Sequence, residues 1–209
     1  MEKTQMSNVT LHYFDFSGSR GEEVRLALHA AGIEFDDHRM KREEWTEMKP
    51  TTPFGQVPVL EIKGKGALSQ SNAILGFIGS QHGLLPKDAF EAAHHVAILS
   101  AGEDLRCVIN RTMSIKDDAE KKKAREEIAA GYLKDWSDNV EKLIKGPFFG
   151  GNDLSVADLK LYMVMNWIKR GIIDHIPATS FDSFAKLTGL FDAVRSHPKI
   201  VDWYDSHPG

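Results

Sequence analysis

The segment Phe54-Gly55-Gln56-Val57-Pro58-Val59-Leu60 constrains this chain more than any other. An apolar strand that begins with proline lacks a ladder donor at its first residue. It reads as an edge strand entered through a cis Val57–Pro58 bond. The residue before that proline turns its backbone N–H and C=O outward, where they can pair with another extended peptide. Shortly afterwards comes Gln70-Ser71-Asn72-Ala73-Ile74. Ser69, Gln70 and Ser71 are polar, and Ser71 suits a helix cap or an anion ligand. Ala73, Ile74, Phe77 and Ile78 then recur at helical spacing. Free N–H groups at a helix start attract a carboxylate. Together the two segments describe a pocket for a short peptide carrying negative charge.

The surrounding sequence alternates. Val9–Phe14 reads as a strand, Glu22–Ala31 as a helix closed by Gly32, Glu34–Met40 as a strand and Glu43–Met48 as a short helix. Val57–Ile62 is a strand, Lys63-Gly64-Lys65-Gly66 a turn into the short strand Ala67–Leu68, and Ser71–Gln81 a helix. This βαβ–ββα order predicts a mixed sheet with helices, the thioredoxin-like arrangement. A Gly/Pro-containing connector, His82–Asp88, marks a composition shift. The expected organisation is a thioredoxin-like domain over residues 7–83, a linker over 84–90 and an all-helical domain over 91–209. In that second part Ile98, Gly102, Leu105 and Ile109 share one helical face, as do Ile128, Tyr132, Trp136, Val140 and Leu143. Val156–Ile168 is apolar nearly all round and reads as the central buried helix. Ser155 and Asp158 form its capping box, with Leu154 and Leu159 as a staple. A final helix over Ser183–Ser196 stops before Pro198. The fold class is therefore an α/β thioredoxin-like N-terminal domain plus an all-α C-terminal domain.

Bulk properties exclude several functions. A net charge of −4 over 209 residues offers no concentrated basic face for nucleic acid or a membrane surface. No apolar run approaches a membrane span, and the polar start Met1–Asn8 does not read as a signal peptide. The single cysteine, Cys107, excludes an intrachain disulfide and a paired-cysteine redox motif, so a reducing cytoplasm fits best. Cys107 itself reads as a small core residue rather than a nucleophile. The charged run Asp117–Glu127 reads as a solvated face with Asp117/Lys121 and Asp118/Lys122 pairs. The scattered histidines show no metal-ligand spacing, and no metal is expected.

These pieces, in this order and spacing, resemble the cytosolic glutathione transferases over nearly the whole chain. The closest likeness is to the sigma-like, tyrosine-dependent branch. The resemblance rests on Tyr13-Phe14, Arg20-Gly21-Glu22-Glu23-Val24-Arg25, Asp37-His38-Arg39, Glu44-Trp45 and Met48-Lys49-Pro50. It continues through Pro53–Pro58, Gln70–Ile74 and Gly151–Asp158. It implies glutathione as the anionic peptide and co-substrate, a hydrophobic electrophile as its partner, and Tyr13 as the residue that stabilises the thiolate. By itself Tyr13 would read as a half-buried strand residue; the flanking motifs favour catalysis. Arg20 matches an arginine that tunes the tyrosine, the alternative being a surface arginine. The turn Asp15–Ser19 is one residue longer than the family pattern, which leaves Ser17 or Ser19 as a second choice for the thiol.

The likeness also implies the remaining contacts. Trp45 and Lys49 would hold the glycyl end with help from Gln56, although Trp45 alone could be packing and Lys49 a solvated charge. Val57 would pair by backbone with the cysteinyl unit, fixed by Pro58, and Gln70 and Ser71 would take the γ-glutamyl carboxylate. Asp104, the better candidate of the pair Glu103-Asp104, would reach the γ-glutamyl amine of the other subunit in a homodimer. The electrophile would meet Phe14, Asn110, Arg111 and Met113. Two rivals share these residues: a glutathione-dependent, prostaglandin-type isomerase, and a non-catalytic ligand-binding or structural relative such as the lens crystallins. A thioredoxin-type reductase fails for want of a cysteine near the first helix.

Overall fold

The computed structural model describes residues 8–207. One compact unit runs to Leu85 and takes in the last helix from Pro198; the other spans Pro86–His197. In the first unit β1 (Val9–Phe14), α1 (Ser19–Ala30) and the parallel strand β2 (Asp36–Met40) form a βαβ unit. There follow α2 (Arg42–Met48), β3 (Val59–Ile62), β4 (Gly66–Ser69) and α3 (Ser71–His82). The sheet order is β2-β1-β3-β4, with β3 antiparallel to both its neighbours. The edge strand expected at Pro58 is thus an interior strand. Pro58 lies one residue ahead of the ladder, behind a cis bond, so its missing N–H removes no bond from either neighbour. α1 and α3 pack together, and Val24, Leu28, Ile74 and Ile78 are buried along with Leu11 and Leu60 of the sheet.

The second unit contains α4 (Ala89–Arg111), α5 (Asp118–Ala130), α6 (Tyr132–Glu141), α7 (Val156–Lys169) and α8 (Ala185–Ser196). Every residue of α7 from Val156 to Met165 is buried, as its pattern predicts. Even Lys160 is fully buried, its stem against Gly102, where a Cβ would stand 2.9 Å from Lys160 Cγ. Its ammonium pairs with Glu103, which also accepts from Arg106 Nη1 at 3.0 Å. At the start of α7 the Asp158 carboxylate accepts from the Ser155 N–H (2.8 Å), the Ser155 hydroxyl (2.6 Å) and the Phe149 N–H (2.6 Å). Burial pushes this carboxyl above its ordinary range, while the three donors pull it back.

Three local expectations change. Asp117 caps α5, accepting from the Glu120 N–H at 2.8 Å, instead of pairing with Lys121. Lys121 reaches Asp118 at 3.4 Å, and Lys122 reaches Glu126 at 3.8 Å. Satisfying an orphan helix donor outweighs an exposed ion pair. Gly131 interrupts the stripe from Ile128 to Leu143, so Trp136 and Val140 are buried while Tyr132 and Leu143 are exposed. Finally, Pro198 opens a helix, α9 (Pro198–Ser206), that belongs to the first unit. Proline suits a first turn, where its N–H is not needed. One turn presents Ile200 and Trp203 together, and both are buried as α9 packs on α1.

Arg125 of α5, nearly fully buried, donates to Thr112 Oγ1 at 2.8 Å and pairs with the exposed carboxylate of Asp174. Desolvation alone would raise the Asp174 carboxyl, but the Arg125 charge and hydrogen bonds outweigh it and leave it below its ordinary range. A depressed carboxyl contributes stability that is complete above the unfolded value and lost as pH falls through the folded one. In urea unfolding, the stability gap between wild type and Asp174→Asn should be constant above about pH 5 and close progressively below about pH 4.

Candidate functional site

Strand register gathers the expected residues at one end of the sheet. His12 of β1 pairs with Val59 of β3, which pairs with Ser69 of β4. Tyr13 follows the first, Val57 and Pro58 precede the second, and Gln70 and Ser71 follow the third, so all five lie just past that row. Gln56 joins them, its side-chain oxygen accepting from Gln70 Nε2 at 3.0 Å. Ser69 Oγ donates to the Pro53 carbonyl at 3.3 Å, tying the approach to β3 onto β4. The Val57 backbone N–H and C=O have no partner among the described residues.

Tyr13 is 5% exposed, with its ring against Gly21 of α1, where an added Cβ would overlap it. The rings of Phe14 and Phe16 stand 5.7 and 5.5 Å away. Its hydroxyl has no hydrogen bond among the described residues. The guanidinium over its ring, 5.7 Å from the centroid, is that of Arg25. Arg25 is fully buried and donates from Nε to both Asp37 oxygens at 2.9 and 3.0 Å. Its Nη1 reaches the Phe16 carbonyl at 2.9 Å and Glu22 at 3.2 Å, and its Nη2 reaches the Phe14 carbonyl at 3.2 Å. Those carbonyls bracket Asp15, so the turn after Tyr13 hangs from α1. Arg20, to which the resemblance gives the tuning role, lies half-buried in the first turn of α1. The sequence reading placed Arg25 in the Arg20–Arg25 motif but gave it no role at the site. Its signal was a Glu22/Arg25 pair, one turn apart, on the face of α1 that also carries Val24 and Leu28 into the core.

On α2, Trp45 is half-buried and meets the Phe14 ring edge-on at 5.9 Å. Lys49, just beyond, is exposed, and its stem passes 3.6 Å from where a Gly55 Cβ would stand. Its ammonium has no ion pair among the described residues. The sheet fixes α2 through His38, which pairs with Glu44 and shares an Nδ1···Nδ1 hydrogen bond of 2.7 Å with His12.

Ser71, the first residue of α3, is buried as a residue, and its hydroxyl has no partner among the described residues. The N–H groups of Ser71, Asn72 and Ala73 precede the first intrahelical bond, which runs from Ile74 N–H to the Gln70 carbonyl. Among the described residues of this unit, three that are not glycine hold left-handed φ: Ser19 (57°), Phe54 (63°) and Gln70 (73°). They open α1, the approach to β3 and α3. Such strain costs about 1–3 kcal/mol per residue and collects at binding sites.

The remaining candidates belong to the second unit. Asp104 of α4 is exposed, while Glu103 beside it turns to Lys160 and Arg106. Asn110, Arg111 and Met113 are exposed at the end of α4, and Phe14 of the first unit is half-buried. Cys107, read as a core residue, is exposed: it sits away from the Leu105/Ile109 face. No group of three or more His, Cys, Asp or Glu residues forms a metal site among the described residues. No helix among them is long and apolar enough to cross a membrane.

Because Gly21 seats the Tyr13 ring, Gly21→Ala should displace that ring and destabilise the protein by about 1–3 kcal/mol. Chemical denaturation measures the loss. An unchanged midpoint would mean that the ring does not rest on this glycine.

Comparison with known proteins also divides the chain in two, but groups α9 with the helical part. Residues 9–80 match the glutathione S-transferase N-terminal domain, and residues 103–207 match the glutathione S-transferase C-terminal domain. The chain is 30% identical to glutathione S-transferase 1 of Ascaris suum, covering 97% of this chain and 98% of that one. It is 28% identical to the hematopoietic prostaglandin D synthase of Gallus gallus, covering 97% and 98%. The structure of prostaglandin synthase D from Nilaparvata lugens superposes with a TM-score of 0.85 at 29% identity, over 97% of this chain and 99% of that one. Matched in both halves and along nearly its whole length, the chain belongs to the glutathione S-transferase family.

Proposed function

We propose that this protein is a glutathione transferase in which Tyr13 stabilises the glutathione thiolate for attack on a hydrophobic electrophile. The observation that carries this reading is a buried tyrosine ring at the end of β1 whose hydroxyl has no internal partner. It lies at the same sheet end as an open helix start. Glutathione is a tripeptide with two carboxylates, and the groups present fit it. Lys49 and Trp45 face the glycyl end with Gln56, the Val57 backbone pairs with the cysteinyl unit beside Pro58, and Gln70, Ser71 and the α3 N–H groups take the γ-glutamyl carboxylate. Arg20 adds positive charge near the tyrosine.

A free thiol ionises near pH ~8.5, so little thiolate exists at neutral pH. Lowering that value by about two units takes roughly 2.7 kcal/mol of preferential anion stabilisation, the scale of one charge-assisted hydrogen bond in a partly dry site. The sulfur lone pair forms a bond to carbon. The displaced pair leaves with the leaving group or, in addition, moves to the activating group and takes a proton from water. Phe14, Asn110 and Arg111 are the proposed electrophile contacts. A glutathione-dependent isomerase is the second reading, favoured by the likeness to prostaglandin D synthases.

The protein is proposed to act as a homodimer in the cytoplasm, with Asp104 of each copy completing the other's γ-glutamyl site. Exposed apolar residues on α4 and α6 (Phe90, Val96, Tyr132) and Phe54, at 76% exposure, support self-association.

The test is the ultraviolet difference spectrum of bound glutathione across pH, in wild type and Tyr13→Phe. The thiolate band should persist below the free-thiol range in wild type and be lost in the variant, with conjugation of an activated aryl chloride falling about tenfold or more. A band unchanged in the variant would move the role to Ser17 or Ser19. No band in wild type would indicate a binding or structural protein. Ser71→Ala should instead weaken glutathione binding about tenfold, read by calorimetry, with the thiolate band intact at saturation.

A further inference from the structure

Glu22, fully buried, splits its carboxylate between two donors. Oε2 accepts from Arg25 Nη1 at 3.2 Å, and Oε1 accepts from the indole Nε1–H of Trp203 in α9 at 2.8 Å. Trp203 is itself held by rings, stacked on His207 at 3.8 Å and near Phe35 at 6.0 Å and His29 at 5.4 Å. Glu22 follows Gly21, the seat of the Tyr13 ring, and Arg25 both stands over that ring and holds the carbonyls on either side of Asp15. Arg25 Nη1 is shared between the Phe16 carbonyl and Glu22. A Glu22 oxygen deprived of the indole donor would draw harder on that same Nη1, because a buried carboxylate oxygen cannot stay unpaired cheaply. The Phe16 carbonyl would then loosen, and with it the turn that follows Tyr13.

We infer that Trp203 is a positioning residue for Tyr13: its hydrogen bond to Glu22 frees Arg25 to fix the turn beside the thiol. This rests on the transferase reading above. It assigns to α9, which packs on α1, a part in the chemistry of the first unit.

Trp203→Phe keeps an aromatic ring and removes the donor. Replacement of Trp203 by β-(3-benzothienyl)alanine keeps the indole shape and removes only the N–H, which guards against a packing defect. In either variant the pH midpoint of the bound-thiolate band should rise by about half a unit and kcat should fall about fivefold. The Kd for S-methylglutathione, which has no thiol to ionise, should stay at the wild-type value. The 13Cζ resonance of Tyr13, assigned with Tyr13→Phe, should shift in the glutathione-free protein. A wild-type midpoint and an unmoved Tyr13 resonance, with only the melting temperature lowered, would overturn the inference and leave Trp203 a packing residue. A wild type without a thiolate band would instead defeat the transferase reading. The Tyr13 resonance would then still decide whether Trp203 positions that ring.

Discussion

Arg25 is a guanidinium shut off from water, and the first unit is arranged around the need to satisfy it. An unpaired charge in such a place would cost several kcal/mol, so the elements that supply acceptors must come together as the unit folds. β2 supplies Asp37, α1 supplies Glu22, and the end of β1 with the turn beyond it supplies two carbonyls. Asp37 in turn takes Arg39 Nε at 2.7 Å, and Arg39 Nη1 reaches Asp15 at 3.4 Å, which ties the turn to β2 as well. The turn beside Tyr13 therefore takes part of its geometry from the core. That explains how a segment containing Ser17, Gly18 and Ser19 can hold a tyrosine ring in one place.

The second unit uses the same kind of device for a different end. Lys160 sits in a helix buried from Val156 to Met165, and Glu103 turns inward to meet it. Neighbouring residues on a helix point about 100° apart, so Asp104 is left facing solvent. The core's demand for one carboxylate thus decides which of two adjacent acids remains for another partner. Asp158 plays a comparable part at the start of α7, where one carboxylate holds the helix cap and the Phe149 segment together.

Much of this was legible in the residues, and the parts that were not share a cause. β1 is read to the residue, and the α3 start, the buried α7 and the Ser155/Asp158 cap follow from periodicity and local hydrogen bonding. The misreadings arise where a local rule met a partner distant in sequence. Pro58 suggests an edge because a proline weakens a strand, but here it stands just outside the ladder. Pro198 suggests a stop, yet it begins a helix whose stability comes from burying Ile200 and Trp203 on α1, some 170 positions earlier. At the site, Tyr13, Lys49, Gln70 and Ser71 are marked by motif and position. Arg25 lies within a motif but its role is not marked there, and Trp203 is not marked at all, since both roles exist only once α1, β2 and α9 have met.

The return of the chain to its first unit after Leu85 sets an order on biosynthesis. A ribosome releases β1 through α3, then the whole of Pro86–His197, and only afterwards the residues of α9. Every element of the helical unit precedes that moment, whereas Glu22 lacks its indole donor until Trp203 emerges. The segment proposed to carry the thiol chemistry is thus made early and completed only after the helical unit has emerged. A nascent chain holds it unfinished until α9 has emerged.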